Sequence, residues 1–206
     1  MAVTATSSNV ESYRENGFLV VPGLVSPEDV ETLRADAMAL CRGDYPHEKL
    51  PAVDAGLPDA EALGRYLCIH HPHKISPVIL ESGVKHEGMA EVLADLIGPD
   101  VKCMQSMLFV KPPGFQGQAW HQDEIYIPTR DRSLVGAWIA IDDCDEENGC
   151  MSFIHGSNFD PIYENTTLPE NTEDFHAQLF ELAGVDQSKE ILAEAKGGDV
   201  IFFHGH

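Results

Sequence analysis

The order of patterns along this chain predicts an α+β protein, mainly β, in which an antiparallel sandwich or barrel carries a cover of N-terminal helices. Three observations support that class. Before residue 100, apolar residues recur at helical spacing in two stretches. Beyond residue 100 the period falls from 3.6 toward 2. Turn formers then separate the alternating runs: Pro112-Pro113-Gly114, Glu147-Asn148-Gly149 and Gly156-Ser157-Asn158. Helices first and strands afterwards make segregated layers rather than βαβ units.

Each element has a local reason. Residues 1–10 are small and polar and read as a frayed tail, leaving 11–206 as one domain. Phe18 to Val21 form a short apolar strand stopped by Pro22-Gly23. Ser26-Pro27-Glu28-Asp29 combines a capping hydroxyl, proline in the first turn and acids at the positive end of the helix dipole. Val30, Leu33, Ala37 and Leu40 continue that helix to Arg42-Gly43. Residues 43–77 are loop-like and proline-rich, with a short helix at 59–68. A second amphipathic helix spans 84–97, burying Met89, Val92, Leu93, Leu96 and Ile97 before Gly98-Pro99 stops it. Strands are expected at 101–111, 119–125, 135–142, 150–154 and 199–204, and 159–196 reads as a polar insertion with a helix at 172–183.

Composition bounds the function. The 206 residues are enough for a core that buries roughly 70% of the unfolded chain's surface. Thirteen Lys and Arg against 34 Asp and Glu give a formal charge of −21, a field that repels nucleic acid and anionic membranes. The five cysteines are odd in number and form no C-x-x-C pair, so reduced thiols and a cytoplasmic location are expected. The first residues lack the basic and apolar regions of a secretory signal. No run of 18 apolar residues exists to cross a membrane.

The sharpest chemical feature is Trp120-His121-Gln122-Asp123. On a strand, residues two apart share a face, so His121 and Asp123 project together. An imidazole and a carboxylate side by side are two of the three ligands of a 2-His-1-carboxylate iron site. Taken alone, H-x-D is a weak signal, and a hydrogen-bonded His/Asp pair is its ordinary reading.

Its surroundings are more specific. CMQSMLFVKPPGFQGQAWHQDEIYIPT, GAWIAIDDCDEENGCMSFIHGSN and GGDVIFFHGH, together with YRENGFLVVPGLVSPEDVETLR near the start, resemble the phytanoyl-CoA dioxygenase family in order and spacing, nearest to its "domain-containing" members. The resemblance runs from about residue 11 to 206. It implies a double-stranded β-helix, the jelly-roll or cupin-like fold, with N-terminal helices packed on it. It also implies an Fe(II)- and 2-oxoglutarate-dependent dioxygenase that hydroxylates a small molecule with O₂, giving succinate and CO₂. His121 and Asp123 match the first two iron ligands. Lys74, Met107 and Trp138 match positions around 2-oxoglutarate, and Gln105 shares the face of Met107. Related halogenases carry a small residue where Asp123 stands, so the carboxylate points to hydroxylation.

Each position also has a plainer reading. Met107 belongs to the alternating set Val101, Cys103, Gln105, Met107, Phe109 and fits a core, and Trp138 fits simple packing. Lys74 fits a solvated lysine, and His70, His71 and His73 around Pro72 fit scattered exposed histidines. Glu124, Tyr126, Arg130 and Arg132 follow the motif and are candidates for the site's entrance, or for a solvated turn. The resemblance sets the third iron ligand, then the serine and arginine for the far carboxylate of 2-oxoglutarate, beyond the GDVIFFHG segment. The last strands of the jelly-roll are expected there too. His204 and His206 stand nearby, out of that register. A non-catalytic relative that keeps the fold for binding, a truncated inactive form, and a different metalloenzyme on a cupin-like barrel are the competing readings.

Overall fold

A computed structural model describes residues 7–114, 117–163, 165–167, 181–182 and 184–206. Helix α1, Ser7–Asn16, precedes strand β1, Phe18–Val21. The expected frayed tail therefore ends earlier: Ser7 to Val10 are already helical. Tyr13, 5% exposed, anchors this mostly polar helix to the core, and one aromatic in ten residues gives no periodic signal.

Helix α2, Pro27–Arg42, follows the sequence signals closely. Ser26 Oγ accepts the Asp29 N–H at 3.1 Å, and Gly43 closes the helix in the left-handed conformation at φ 74°. Val30, Leu33, Ala37 and Leu40 are buried as the stripe requires. Helix α3 covers only Asp59–Leu63, because Gly64 ends it, and Cys68–His70 is strand β2 rather than the end of a helix. A π-helical turn, Ile79–Val84, leads into helix α4, Glu87–Ile97. Its buried face is narrower than expected: Met89 and Val92 are enclosed, while Ile97 is 39% exposed.

In the second half, strand β3 is Met107–Phe109, β4 Val135–Ile139, β5 Met151–Ile154, β6 Asn165–Thr167, β7 Glu181–Leu182, β8 Glu190–Ala193 and β9 Val200–His204. Four of these fall inside expected strands, but the 101–111 run contracts to three residues paired antiparallel with β2. No strand forms at 119–125. The helix expected at 172–183 ends in β7, and residues 172–180 lie outside the described residues. Strand β8 pairs with β5, in a stretch read as an insertion. Its Ile191 and Leu192 are both exposed, so no alternation marks it.

The central sheet has the order β1-β9-β4, all antiparallel, with Phe18 opposite Phe203 and Val135 opposite His204. Alternation along β9 divides the interior. Val200 and Phe202 face a core shared with α1, α2 and α4, while Ile201 packs with Ala140, Ala193 and Ala195, and Phe18, Trp138, Phe153 and Phe203 cover that second cluster. Phe202 is fully buried, which contributes roughly 1.5–3 kcal/mol of transfer free energy. The sheet thus lies between a helical layer and the β5–β8 pair. Among the described residues the strands form one three-stranded sheet and three pairs and do not close a barrel. None of the described helices is long and apolar enough to cross a membrane.

Candidate metal and cosubstrate site

The segment from Ala119 to Ile127 carries the His-x-Asp motif, and tertiary hydrogen bonds shape it. Leu182 N–H donates to Trp120 O at 3.1 Å, and Glu124 N–H donates to Gly205 O at 2.8 Å. Gln122, 4% exposed, donates through Nε2 to Pro161 O at 3.2 Å and accepts the Tyr163 N–H at 2.9 Å. These bonds to the 160–163 and 204–206 segments replace strand pairing. The chain then turns through a 3-10 helix, Asp123–Ile125, as Tyr126 N–H reaches Asp123 O at 2.9 Å. Pleat alternation is therefore not what juxtaposes His121 and Asp123; this turn does.

The pair meets all the same. His121 Nε2 lies 3.5 Å from Asp123 Oδ1, with side chains 25% and 35% exposed. His121 Nδ1 lies 2.8 Å from Ala119 O. A carbonyl only accepts, so Nδ1 carries the proton in the neutral ring, and the Nε2 lone pair faces the carboxylate. Two acceptors so placed repel unless a cation or a proton joins them. Burial pushes the His121 pKa down, but the Asp123 carboxylate and the Ala119 carbonyl outweigh it, and the net shift is upward. The same geometry fits a divalent metal: an oriented imidazole nitrogen beside a carboxylate oxygen, both partly open.

Among the described residues, no group of three His, Cys, Asp or Glu forms a metal-sized cluster. His204 and His206 are each held through Nδ1, and His206 Nε2 is buried without a hydrogen-bond partner among the described residues. The His206 backbone N–H donates to His204 Nδ1 at 3.1 Å, and His206 Nδ1 donates to Asp160 O at 3.2 Å.

The cosubstrate candidates divide into two places. Lys74 ends a 3-10 turn, Pro72–Lys74, and is exposed. His71 N–H donates to Ser106 O at 2.8 Å, and His73 Nδ1 pairs with Ser106 Oγ at 2.6 Å. These bonds tie the Lys74 turn to the strand that carries Met107, whose Sδ lies 3.7 Å from Gln105 Nε2. Trp138 sits in the other cluster, opposite Ile201 on the central sheet.

The histidines around Pro72 correct one expectation. His70 is exposed, but His71 and His73 are half-buried with their rings in a T-shaped arrangement, and His71 is left-handed at φ 54°. Glu124 corrects another. It is 6% exposed rather than at an entrance, with Oε1 bonded to both the N–H and the hydroxyl of Thr129. Sequence reasoning missed Gln122 and Glu124 as buried supports, because a strand reading puts both on the face opposite His121 and Asp123.

A profile of the phytanoyl-CoA dioxygenase (PhyH) family matches residues 13–206. The chain belongs to that family. Bovine (Bos taurus) peroxisomal phytanoyl-CoA dioxygenase is 26% identical over 217 residues, covering 93% of this chain and 59% of that protein. The PhyH-family chain thus spans less than two thirds of the length of this relative. Phytanoyl-CoA dioxygenase domain-containing protein 1 of Danio rerio is 26% identical over 243 residues, covering 97% of this chain and 82% of the relative. Among solved structures, EvdO2 of Micromonospora carbonacea var. aurantiaca, complexed with 2-oxoglutarate, superposes with a TM-score of 0.70 at 21% identity, covering 98% and 83% of the two chains. The epimerase SnoN, in complex with Fe³⁺, alpha ketoglutarate and nogalamycin RO, superposes at 0.68 with 20% identity, covering 96% and 73%. These likenesses show that the PhyH-family chain shares the fold of EvdO2 and SnoN.

Proposed function

We propose that this chain is an Fe(II)- and 2-oxoglutarate-dependent dioxygenase that hydroxylates a small molecule. The observation that carries the reading is the His121–Asp123 pair, 3.5 Å apart and fixed through Ala119, at the motif position of a PhyH-family sequence. When bound, Fe(II) with 2-oxoglutarate and O₂ supplies the oxidising power, and one oxygen atom goes to the substrate while the other leaves in succinate.

The residues' own work is orientation and charge. The Ala119 carbonyl fixes the His121 tautomer, so Nε2 offers its lone pair. Asp123 supplies an anionic oxygen from a turn that Gln122 and Glu124 hold in place. Met107, Gln105 and Lys74 are the residues we assign to 2-oxoglutarate on one side, where a lysine ammonium complements a carboxylate, and Trp138 is assigned as an apolar wall. A second reading, a non-catalytic relative that keeps the fold for binding, rests on the lack of a third metal-ligating side chain near the pair among the described residues.

Anaerobic Fe(II) titration and 2-oxoglutarate-dependent succinate release test the two. The proposal expects stoichiometric Fe(II) and succinate that both vanish in Asp123→Ala. Succinate release unchanged in that variant overturns the assignment, and a protein that neither binds Fe(II) nor releases succinate is the binding module.

A further inference from the structure

One cavity is lined by neither His121 nor Asp123. It occupies about 450 Å³ between α1, the C-terminal end of α4, the 131–133 turn and the 3-10 turn Ser157–Phe159, with His204 at the end of β9 in its wall. That volume is in the range of small-molecule sites, roughly 300–1,000 Å³.

Its polar groups are mostly donors. Arg14 and Arg132 line it, and neither has an ion-pair partner among the described residues, whereas Arg34 and Arg42 are paired with carboxylates. Two unpaired guanidinium groups in one cavity stand out in a chain of charge −21. His204 adds a third donor. Its Nδ1 accepts the His206 N–H, and burial together with His206 and Arg132 favours the neutral ring, so the proton rests on Nε2. Tyr13, 5% exposed and with its ring centroid 6.3 Å from that of His204, holds a buried hydroxyl with no acceptor. Burial raises its pKa, so the hydroxyl remains a donor. One carboxylate is present, Asp131, and it already accepts the Ser133 hydroxyl at 2.7 Å beside Arg130. The lip is apolar: Phe159 is 73% exposed and Ile97 39%.

From this arrangement we infer that the cavity binds an organic carboxylate with an apolar tail, the head group against Arg14, Arg132 and His204 and the tail across Ile97 and Phe159. An anion satisfies donors that have no protein partner among the described residues, and the exposed side chains gain a cover. The inference concerns a site separate from the proposed iron centre and stands without it.

Isothermal titration of the intact chain with sodium octanoate tests it, with n-octanol and sodium acetate as controls. Octanoate is expected to bind at one site, whereas octanol, lacking the charge, and acetate, lacking the tail, each bind at least about tenfold more weakly. The Arg14→Gln, Arg132→Gln double variant, altered only at exposed side chains, weakens octanoate about tenfold with an unchanged circular dichroism spectrum. Phe159→Ser weakens octanoate and leaves acetate unaffected. Octanol binding as tightly as octanoate, an unaltered affinity in the double variant, or displacement of octanoate by 2-oxoglutarate overturns the inference.

Discussion

His121 Nε2 and Asp123 Oδ1 face each other across 3.5 Å on a segment with no strand hydrogen bonds of its own. The Ala119 carbonyl holds the imidazole from behind, and the 3-10 turn at Asp123 brings the carboxylate round to it. A nitrogen lone pair directed at a carboxylate gains from a cation and loses without one. Asp123→Ala is therefore expected to weaken Fe(II) at least about 100-fold while leaving the fold intact, because Asp123 is part-exposed and its backbone, not its side chain, makes the turn. Calorimetric Fe(II) titration under nitrogen checks this. Asp123→Glu, which keeps the charge, retains part of the affinity. An Asp123→Ala protein that binds Fe(II) as wild type does removes the pair from the metal site.

What was legible in the sequence divides by the range of the cause. Helix α2 was legible almost residue by residue, since its cap at Ser26, its stripe and its stop at Gly43 are all local. Strands β1, β4 and β9 were legible because they are short apolar runs, and they pair into one sheet. The pairing of His121 with Asp123 was expected for the wrong physical reason. A strand was read where long-range bonds from Gln122 and Glu124 impose a turn, and nothing near Trp120 in the sequence announces Pro161, Tyr163 or Gly205 as partners. Strand β8 was illegible because exposed Ile191 and Leu192 follow no alternation.

Asp36 gives a stability prediction. It is 6% exposed on α2, with Oδ1 accepting the Tyr45 hydroxyl and Oδ2 accepting the Ser76 hydroxyl at 2.5 Å. Ser76 Oγ in turn accepts the Ile79 N–H at 3.1 Å, which ties α2 to the π-helical turn. Asp36→Ala strands the enclosed Ser76 hydroxyl and takes the acceptor from the half-buried Tyr45 hydroxyl, and is expected to cost about 1–3 kcal/mol. Urea unfolding reads this as a lower midpoint at constant slope. A loss below about 0.5 kcal/mol means that the network contributes little.

Gly136 and Phe203 are cross-strand partners, and the phenyl ring lies over the glycine. A Cβ added at Gly136 would fall 2.1 Å from Phe203 Cζ. The ring has little room to swing, because Phe153 packs on it at 5.5 Å between centroids and itself stacks on Phe18 at 4.6 Å. Gly136→Ala is thus expected to destabilise by about 1–3 kcal/mol through overpacking. Adding Phe203→Leu to that variant recovers part of the loss, a coupling that a double-mutant cycle measures. Two additive penalties sink the explanation.

The thiols differ enough to be ranked by alkylation. Cys41 is fully enclosed, and burial pushes the half-buried Cys68 up to about 12, so at pH 8 only about one Cys68 in ten thousand is a thiolate. Cys103 is exposed. Burial raises its pKa as well, but a hydrogen bond with the Gln105 backbone and the nearby Lys74 charge oppose that shift. Iodoacetamide at pH 8 is therefore expected to label Cys103 first and to leave Cys41 and Cys68 unmodified until urea unfolds the chain. Raising the pH by one unit accelerates Cys68 about tenfold, since its thiolate fraction is still far from saturation. Peptide mass spectrometry over a time course reads the order. Modification of Cys68 in the folded chain as fast as Cys103 would show that the β2–β3 pair opens on the labelling timescale and does not shelter the thiol.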